Sequence, residues 1–191
     1  MHNLSLLLFI ALFFISCKEP QEVVVVEEEP PLTFENCSQL IDANPCNFTL
    51  KNQHDKEIEL YDFYGKVIIV DFSAMWCGPC VSMGMASEEI VTSYGAENVE
   101  WLTLIIEDEQ GDPPDQDDLI RWAQTTGITG HVLASDRSII DATATTGYPI
   151  SGWPTYVVID REMVIKHGSV GWSESMLRSI LDLVVGEVED G

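Results

Sequence analysis

Two cysteines separated by two residues, Cys77 and Cys80, have the clearest chemical potential in this sequence. They follow an apolar, β-branched run at residues 66–72 that is typical of a buried strand, and Pro79 suits the first turn of a helix. A helix N-terminus stabilises a thiolate, the reactive form of cysteine, through unpaired N–H groups and about half a positive charge. The pattern predicts a redox dithiol in which Cys77 is the nucleophile and Cys80 the resolving thiol.

Metal binding is the main alternative for a pair of cysteines at this spacing. A zinc site normally needs four ligands, yet the sequence contains no second such pair, and His54, His131 and His167 are scattered singly. We therefore predict no metal and no cofactor. Met75 and Met83 near the dithiol, with Met85, keep a copper-delivery or copper-binding protein open as a second class of function.

The sequence around the dithiol resembles the thioredoxin fold and, within it, the extracytoplasmic TlpA-like and ResA-like thiol-disulfide oxidoreductases. The resemblance rests on residues 47–50, 58–60, 65–77 and 151–160, and it covers about residues 46–185. It implies an α/β, thioredoxin-like three-layer fold. Such a fold has a central mixed sheet with helices on both faces, here with an N-terminal β-hairpin extension.

The resemblance also implies a substrate-binding surface beside the sulfurs. Pro154 matches the family's cis-proline, which would present the backbone of Trp153 to an extended client chain through main-chain hydrogen bonds. Trp153 departs from the smaller residue often found there, and it either adds an apolar contact or simply packs. The predicted substrate-binding residues are Trp76, Gly78, Pro79, Trp153, Pro154 and Thr155.

Asp71 is an acid within the otherwise apolar strand that precedes the dithiol. Acids at strand ends are often only solvated, but an unpaired buried carboxylate is costly and its pKa tends to rise. The matching place in thioredoxin carries a buried aspartate that moves protons for the resolving thiol, whereas many TlpA-like proteins have asparagine. We therefore predict that Asp71 is the general acid/base for Cys80.

Alternating strands and helices must position these residues. Hydrophobic patterns and stop signals predict helices at 38–43, 79–94, 117–126, 138–146 and 173–185, and strands at 48–50, 58–60, 67–72, 99–106, 131–134, 155–160 and 163–168. Right-handed crossovers between parallel strands place the first strand-helix junction at the carboxyl edge of the sheet. The dithiol is expected on that edge.

The N-terminus predicts export. Residues 4–15 form an apolar run that is too short to span a bilayer and is typical of a signal peptide. The run ends in a sequence that resembles a bacterial lipobox, so residues 1–17 are predicted to be a signal peptide with Cys17 as the lipidation site. Phe14 and the absence of Lys or Arg before the run depart from that pattern, leaving a secreted protein or a retained anchor as alternatives.

The rest of the chain divides by composition. Residues 18–35 are rich in acids and proline and predict a flexible tether, 36–185 the thioredoxin-like domain, and 186–191 an acidic tail. Cys37 and Cys46 complete the five cysteines. Export makes a disulfide between them plausible, either as a structural clamp or as a second redox relay.

Charge narrows the partners. The net charge is −23, which argues against nucleic acid because phosphate binding relies on Lys and Arg. Residues 107–118 hold seven acids but do not match an EF-hand, so a solvated loop is expected there. The predicted partners are disulfide-containing client proteins, a membrane thiol donor protein, and the periplasmic side of a bacterial membrane through a lipid anchor.

The two residues between the cysteines, Gly78 and Pro79, are those of thioredoxin. Thioredoxin has a potential near −270 mV, far from the strong oxidants near −120 mV. The sequence therefore predicts an enzyme, a thiol-disulfide oxidoreductase that reduces protein disulfides.

Overall fold

The structure is a computed structural model that describes residues 32–144 and 147–186. The predicted signal peptide with Cys17, most of the predicted tether and nearly all of the acidic tail lie outside these residues. Among the described residues, no helix combines the length and apolar character needed to cross a bilayer.

Strands and helices alternate along the described part of the chain. Their order is β1 (Thr49–Lys51), β2 (Glu57–Glu59), β3 (Val67–Ala74), α1 (Gly78–Tyr94), β4 (Val99–Glu107), α2 (Gln116–Thr126), β5 (His131–Ala134), β6 (Thr155–Ile159), β7 (Ile165–Val170) and α3 (Glu174–Gly186). Short 3-10 helices occupy Leu60–Phe63 and Arg137–Ile139.

The strands form two sheets. β1 and β2 pair as an antiparallel hairpin, and the other five strands form one sheet in the order β5-β4-β3-β6-β7. In this sheet β3 is parallel to β4 and antiparallel to β6. This arrangement confirms the predicted mixed α/β sheet with an N-terminal hairpin, and it places β3, which leads into the dithiol, at the centre.

The two faces of β3 are covered differently, because successive side chains of a strand point to opposite faces. Val67 and Ile69 pack in a cluster with residues of α1 and α3. Val70 and Phe72 pack on the other face, in a cluster that includes Leu60 of the first 3-10 helix and is flanked by the hairpin. Helical elements therefore cover both faces, α-helices on one and 3-10 helices on the other.

Residues 38–43 form turns and bends, so the helix predicted there is wrong. The backbone groups that a helix would use are bonded elsewhere. The N–H of Asp42 donates to the carbonyl of Ile165, and the N–H of Ile165 donates to the carbonyl of Ala43. These bonds to the start of β7 come from a part of the chain more than 100 residues away, which local propensity does not report.

The helix predicted at 138–146 is also wrong over its described residues, where only the 3-10 turn Arg137–Ile139 forms. The N–H of Tyr148 donates to the carbonyl of Ile139 at 2.7 Å, and Asp141 N–H donates to the carbonyl of Tyr148 at 3.0 Å. These bonds join two extended stretches instead of successive helical turns.

The acidic stretch 107–118 is a largely exposed loop, as expected, except at its two ends. Glu107 is buried at the end of β4. Asp115 and Asp118 form a capping box at the start of α2, in which each side chain accepts the backbone N–H of the other, at 3.0 and 2.8 Å. Several of these acids therefore stabilise element ends, where the helix dipole favours negative charge.

Candidate active site

The start of α1 carries a disulfide between Cys77 and Cys80, whose Cα atoms are 5.3 Å apart. Cys77 is the N-cap residue, and its Sγ accepts a hydrogen bond from the N–H of Cys80 at 3.2 Å. Pro79 lies in the first turn, where its missing N–H costs no hydrogen bond. After reduction, the same N–H and the positive end of the helix dipole favour the thiolate at Cys77.

The two sulfur-bearing residues differ in access to solvent. Cys77 is 5% exposed and Cys80 is 0% exposed, while Gly78 and Pro79 between them are exposed. A client can therefore approach Cys77 across the exposed Gly78 and Pro79 backbone. Cys80 faces the protein interior and is positioned to attack from behind.

The loop that precedes β6 lies against the dithiol. The Trp153–Pro154 peptide bond is cis, as the family resemblance implies. Trp153 is half-buried and packs against the cluster that contains Cys77 and Cys80. It also meets Trp76 edge to face, with ring centroids 6.4 Å apart. Trp153 thus places the cis-proline loop against the cluster that contains the two sulfurs.

The side chain of Thr155 supports this loop. It is 7% exposed, and its Oγ1 donates to the carbonyl of Gly152 at 2.7 Å. The hydroxyl therefore closes the turn around Pro154 and is not turned toward solvent.

Asp71 is fully buried within β3. Its carboxyl group accepts hydrogen bonds from Ser73 Oγ at 2.6 Å and from Thr103 Oγ1 at 3.2 Å. Burial raises the pKa of Asp71 to about 7, and the hydroxyl donors limit that rise. Asp71 is therefore a buried acid whose pKa lies near neutral pH.

Asp71 and Cys80 lie on the same side of the sheet. Thr103, which binds Asp71, and Ile105, which packs in the cluster with Cys80, are two residues apart on the same face of β4. That separation is about 7 Å along a strand. The carboxyl group accepts hydrogen bonds from the hydroxyls of Ser73 and Thr103, the Trp101 side chain also lowers its pKa, and within the described residues it has no hydrogen bond with a sulfur.

The structure adds two residues that the sequence did not single out as site residues. Glu107 Oε2 accepts from Trp76 Nε1 at 2.9 Å, and Glu107 Oε1 accepts from Arg137 Nε. Glu107 ends β4, the parallel neighbour of the strand before the dithiol, and the carboxyl ends of parallel strands meet at one edge. That placement was a usable signal for Glu107, whereas nothing in the sequence marked Arg137.

Cys37 and Cys46 form a second disulfide, with Cα atoms 4.7 Å apart. The segment between them is hydrogen-bonded to Ile165 at the start of β7. Ile165 pairs with Ile159 of β6, which pairs with Ile68 near the start of β3, about 20 Å along the strand from the dithiol end. The segment is therefore anchored at the opposite end of the sheet.

The methionines do not gather into a metal site. Met83 is buried in the cluster beneath α1 and α3, Met75 packs against the cluster that contains the dithiol, and Met85 is exposed. In the part of the chain that the structure describes, no three His, Cys, Asp or Glu side chains are grouped to hold a metal ion. This geometry gives the copper-delivery alternative no support.

The chain is similar to several known proteins. The thiol-disulfide oxidoreductase ResA of Bacillus subtilis (strain 168) is 26% identical over 140 residues, which is 72% of each chain. A thiol:disulfide interchange protein of the thioredoxin family from Chlorobium tepidum TLS has a TM-score of 0.60 at 22% identity, covering 76% of this chain and 97% of its own. The exposed lipoprotein thioredoxin Etrx1 of Streptococcus pneumoniae strain TIGR4 has a TM-score of 0.56 at 25% identity, with 75% and 100% covered.

These similarities confirm the resemblance to ResA-like proteins. The family model described as the AhpC/TSA family matches residues 42–168. That range includes β3, the whole of α1 with the dithiol, and the cis-proline loop. The chain therefore belongs to the AhpC/TSA family and has the thioredoxin-like fold.

Proposed function

We propose that this protein is an extracytoplasmic thiol-disulfide oxidoreductase that reduces protein disulfides with Cys77 and Cys80. One observation carries the proposal: a disulfide at the N-terminus of α1 with one partly accessible and one fully buried cysteine, beside a cis-proline loop. The name of the Bacillus subtilis relative, a thiol-disulfide oxidoreductase, supports the same activity.

The first step of the proposed reaction begins from the reduced protein. The Cys77 thiolate attacks one sulfur of a client disulfide, so that a Cys77–client disulfide forms while the client disulfide breaks. The second client sulfur leaves as a thiolate and takes a proton from water. The Cys80 N–H and the helix dipole stabilise the attacking thiolate. The backbone beside Pro154 holds the client chain by strand-like pairing.

The second step releases the client. Cys80 passes its proton to Asp71 through one intervening water molecule and attacks Cys77 Sγ, so the Cys77–Cys80 disulfide forms while the Cys77–client disulfide breaks and the last client thiolate leaves. Two electrons have then passed from the protein to the client. Asp71 suits this role because a base with a pKa of about 7 is partly ionised at neutral pH. A membrane thiol donor protein would return the two electrons.

The reductive direction rests on Gly78 and Pro79, which match thioredoxin near −270 mV rather than oxidants near −120 mV. The extracytoplasmic location rests on the apolar run at residues 4–15, on Cys17 as lipidation site, and on a neighbour named as an exposed lipoprotein. We assign residues 1–17 to a signal peptide and 18–35 to a tether for the domain at 36–185.

Cys17→Ser is expected to move the protein from the membrane fraction to the soluble extracytoplasmic fraction of a bacterial cell.

Reduction of insulin by dithiothreitol tests the proposed activity. The protein is expected to accelerate insulin precipitation, and Cys77→Ser is expected to abolish the acceleration. Cys80→Ser is expected to form a stable one-to-one mixed disulfide with a client peptide, which mass spectrometry detects, because the first attack remains and the release step is lost.

The midpoint potential of the Cys77–Cys80 pair decides the direction. A value near that of thioredoxin supports a reductase, whereas a value close to −120 mV indicates an oxidant. Acceleration that survives in Cys77→Ser contradicts the assignment of the nucleophile.

A further inference from the structure

A groove of about 230 Å³ lies beside the dithiol. One wall is Trp153, which also packs against the cluster that contains Cys77 and Cys80. The groove therefore begins where the client's reacting cysteine must lie. Its other lining residues are Arg137, Ile140, Ile150, Ser151 and Gly152. A client segment next to the reacting cysteine would pass over a surface that is partly apolar and partly polar and that contains one cation.

The cation of this groove, Arg137, is paired with a buried carboxylate. Arg137 forms an ion pair with Glu107, whose side chain is 6% exposed, while the side chain of Arg137 is 68% exposed. Glu107 is itself fixed by the hydrogen bond from Trp76 Nε1. The carboxylate is thus buried behind the guanidinium, so the pair presents its positive side to the groove.

The guanidinium has hydrogen-bonding capacity left. It carries five N–H donors in a rigid fork. Within the described residues its one hydrogen bond goes from Nε to Glu107 Oε1, and Nη2 forms the ion pair with the same oxygen. The outer edge remains available to a second carboxylate, and an Arg–carboxylate pair of this kind is directional.

We propose that Arg137 selects clients with an acidic side chain close to the reacting cysteine, with Glu107 acting as a positioning residue. The proposal rests on the proposed disulfide exchange at Cys77 and names the substrate class for it. Local charge complementarity carries it, because Arg137 is the basic residue that lines this groove.

Matched disulfide peptides test the proposal. Two series differ only in Glu or Gln, placed one, two or three residues on either side of the reacting cysteine, and kcat/KM is measured for each with the reduced wild-type protein. The Glu/Gln ratio at the best position is expected to be about threefold to fivefold higher in wild type than in Arg137→Gln, as for an exposed ion pair. The wild-type ratio is expected to fall toward that of the variant in 0.5 M NaCl.

Arg121→Gln is the matched control. Arg121 lies on α2, is 52% exposed and pairs with Glu109 and Asp118, so its loss changes the net charge equally at a surface outside the groove. This variant is expected to keep the wild-type ratio. Equal ratios in wild type and Arg137→Gln, or equal losses in both variants, overturn the proposal.

Two further outcomes are separated by the same data. If Arg137→Gln does not fold, as circular dichroism would show, the wild-type salt series decides: a Glu/Gln ratio that does not fall with salt overturns the proposal. If wild type reduces neither the Glu nor the Gln peptides, the proposed function itself fails. If the peptides are reduced but the Glu/Gln ratio does not depend on Arg137, the proposed function is retained and only the preference for acidic clients is contradicted.

Discussion

Two carboxyl groups are buried close to the dithiol, and different neighbours offset the cost of burying each. Asp71 has no cation beside it among the described residues, and its burial raises its pKa to about 7, although the hydroxyl donors of Ser73 and Thr103 partly stabilise the ionised form and limit that rise. Glu107 is paired with the cation of Arg137. An acid that exchanges protons near neutral pH suits the proposed release step of Asp71. The ion pair of Glu107 instead suits the positioning of Arg137 at the groove.

The raised pKa of Asp71 predicts a pH dependence of stability. The unfolded chain releases this proton near pH 3.8, but the folded protein keeps it until about pH 7. Stability from this group is therefore lost as pH rises between these values, and the loss is complete above pH 7. Relative to Asp71→Asn, the oxidised wild type should lose up to about 4 kcal/mol of unfolding free energy between pH 4 and pH 8. Urea unfolding at each pH measures the difference.

Glu162→Gln is the control for general charge effects. Glu162 is exposed in the turn between β6 and β7, and its loss changes the net charge by the same amount. The difference between this variant and wild type should stay nearly constant across the same pH range. A constant difference for Asp71→Asn as well would show that Asp71 does not carry the predicted proton.

The role of Asp71 in release predicts a kinetic separation. In Asp71→Asn, the first attack by Cys77 should be nearly unchanged, because Asp71 is proposed to act on the Cys80 proton. Release should slow by at least about tenfold, since general base catalysis contributes 100-fold or more. Rapid acid quench and mass spectrometry measure the mixed disulfide, which should accumulate in the variant. Equal turnover of the variant and wild type would remove Asp71 from the mechanism.

The contact between α1 and α2 depends on the glycine inside α1. A Cβ on Gly84 would lie 2.7 Å from Thr126 Cγ2 and 3.2 Å from Thr126 Cβ. Such distances are shorter than van der Waals contact, and Thr126 has little freedom because its Oγ1 donates to the carbonyl of Trp122 at 2.8 Å. Gly84 therefore does more than weaken α1, since it permits the close approach of α2.

Gly84→Ala is expected to destabilise the protein by about 1 kcal/mol. Alanine favours a helix by about 1 kcal/mol, but overpacking costs about 1 to 3 kcal/mol, and here the neighbouring atoms cannot move aside. Thr126→Ser removes the methyl group and keeps the hydroxyl. The double variant should therefore recover at least half of the loss in urea unfolding. If Gly84→Ala is more stable than wild type, the helices can separate at little cost.

The Cys37–Cys46 disulfide acts on the stability of the whole domain. It closes a loop with a sequence separation of 9 residues, and hydrogen bonds attach that loop to the start of β7. Replacement of both cysteines by alanine should lower the free energy of unfolding by about 2 to 3 kcal/mol, chiefly through the entropy of the unfolded chain.

The same double variant separates a clamp from a relay. A clamp predicts that insulin reduction by the variant at low temperature stays close to wild type, because the loop is bonded to the sheet end opposite the dithiol. A relay predicts a loss of turnover and two coupled transitions in a redox titration of wild type. The distance along β3 favours the clamp.

Local chemistry made much of this protein predictable from its residues. The dithiol, Pro79 and the strand before them lie within fifteen residues, and their signals act over a few bonds. The same holds for α1, for β4 and for the glycine ends of α1 and α2. The apolar strand around Asp71 and the resemblance to thioredoxin favoured a buried acid over a solvated one, and Asp71 is fully buried.

Contacts between distant parts of the chain decided the remainder. Residues 38–43 and 138–144 have helical patterns, but hydrogen bonds to Ile165 and Tyr148 gave them other conformations. The ion pair of Glu107 and Arg137 joins residues 30 positions apart, and Gly84 meets a residue of another helix. The sequence by itself therefore determined the redox chemistry and the central elements, since those depend on neighbours along the chain. Only the tertiary structure placed Arg137 at the groove and packed α2 against α1. Both depend on contacts between residues far apart in the sequence, Arg137 with Glu107 and Gly84 with Thr126, which only folding brings together.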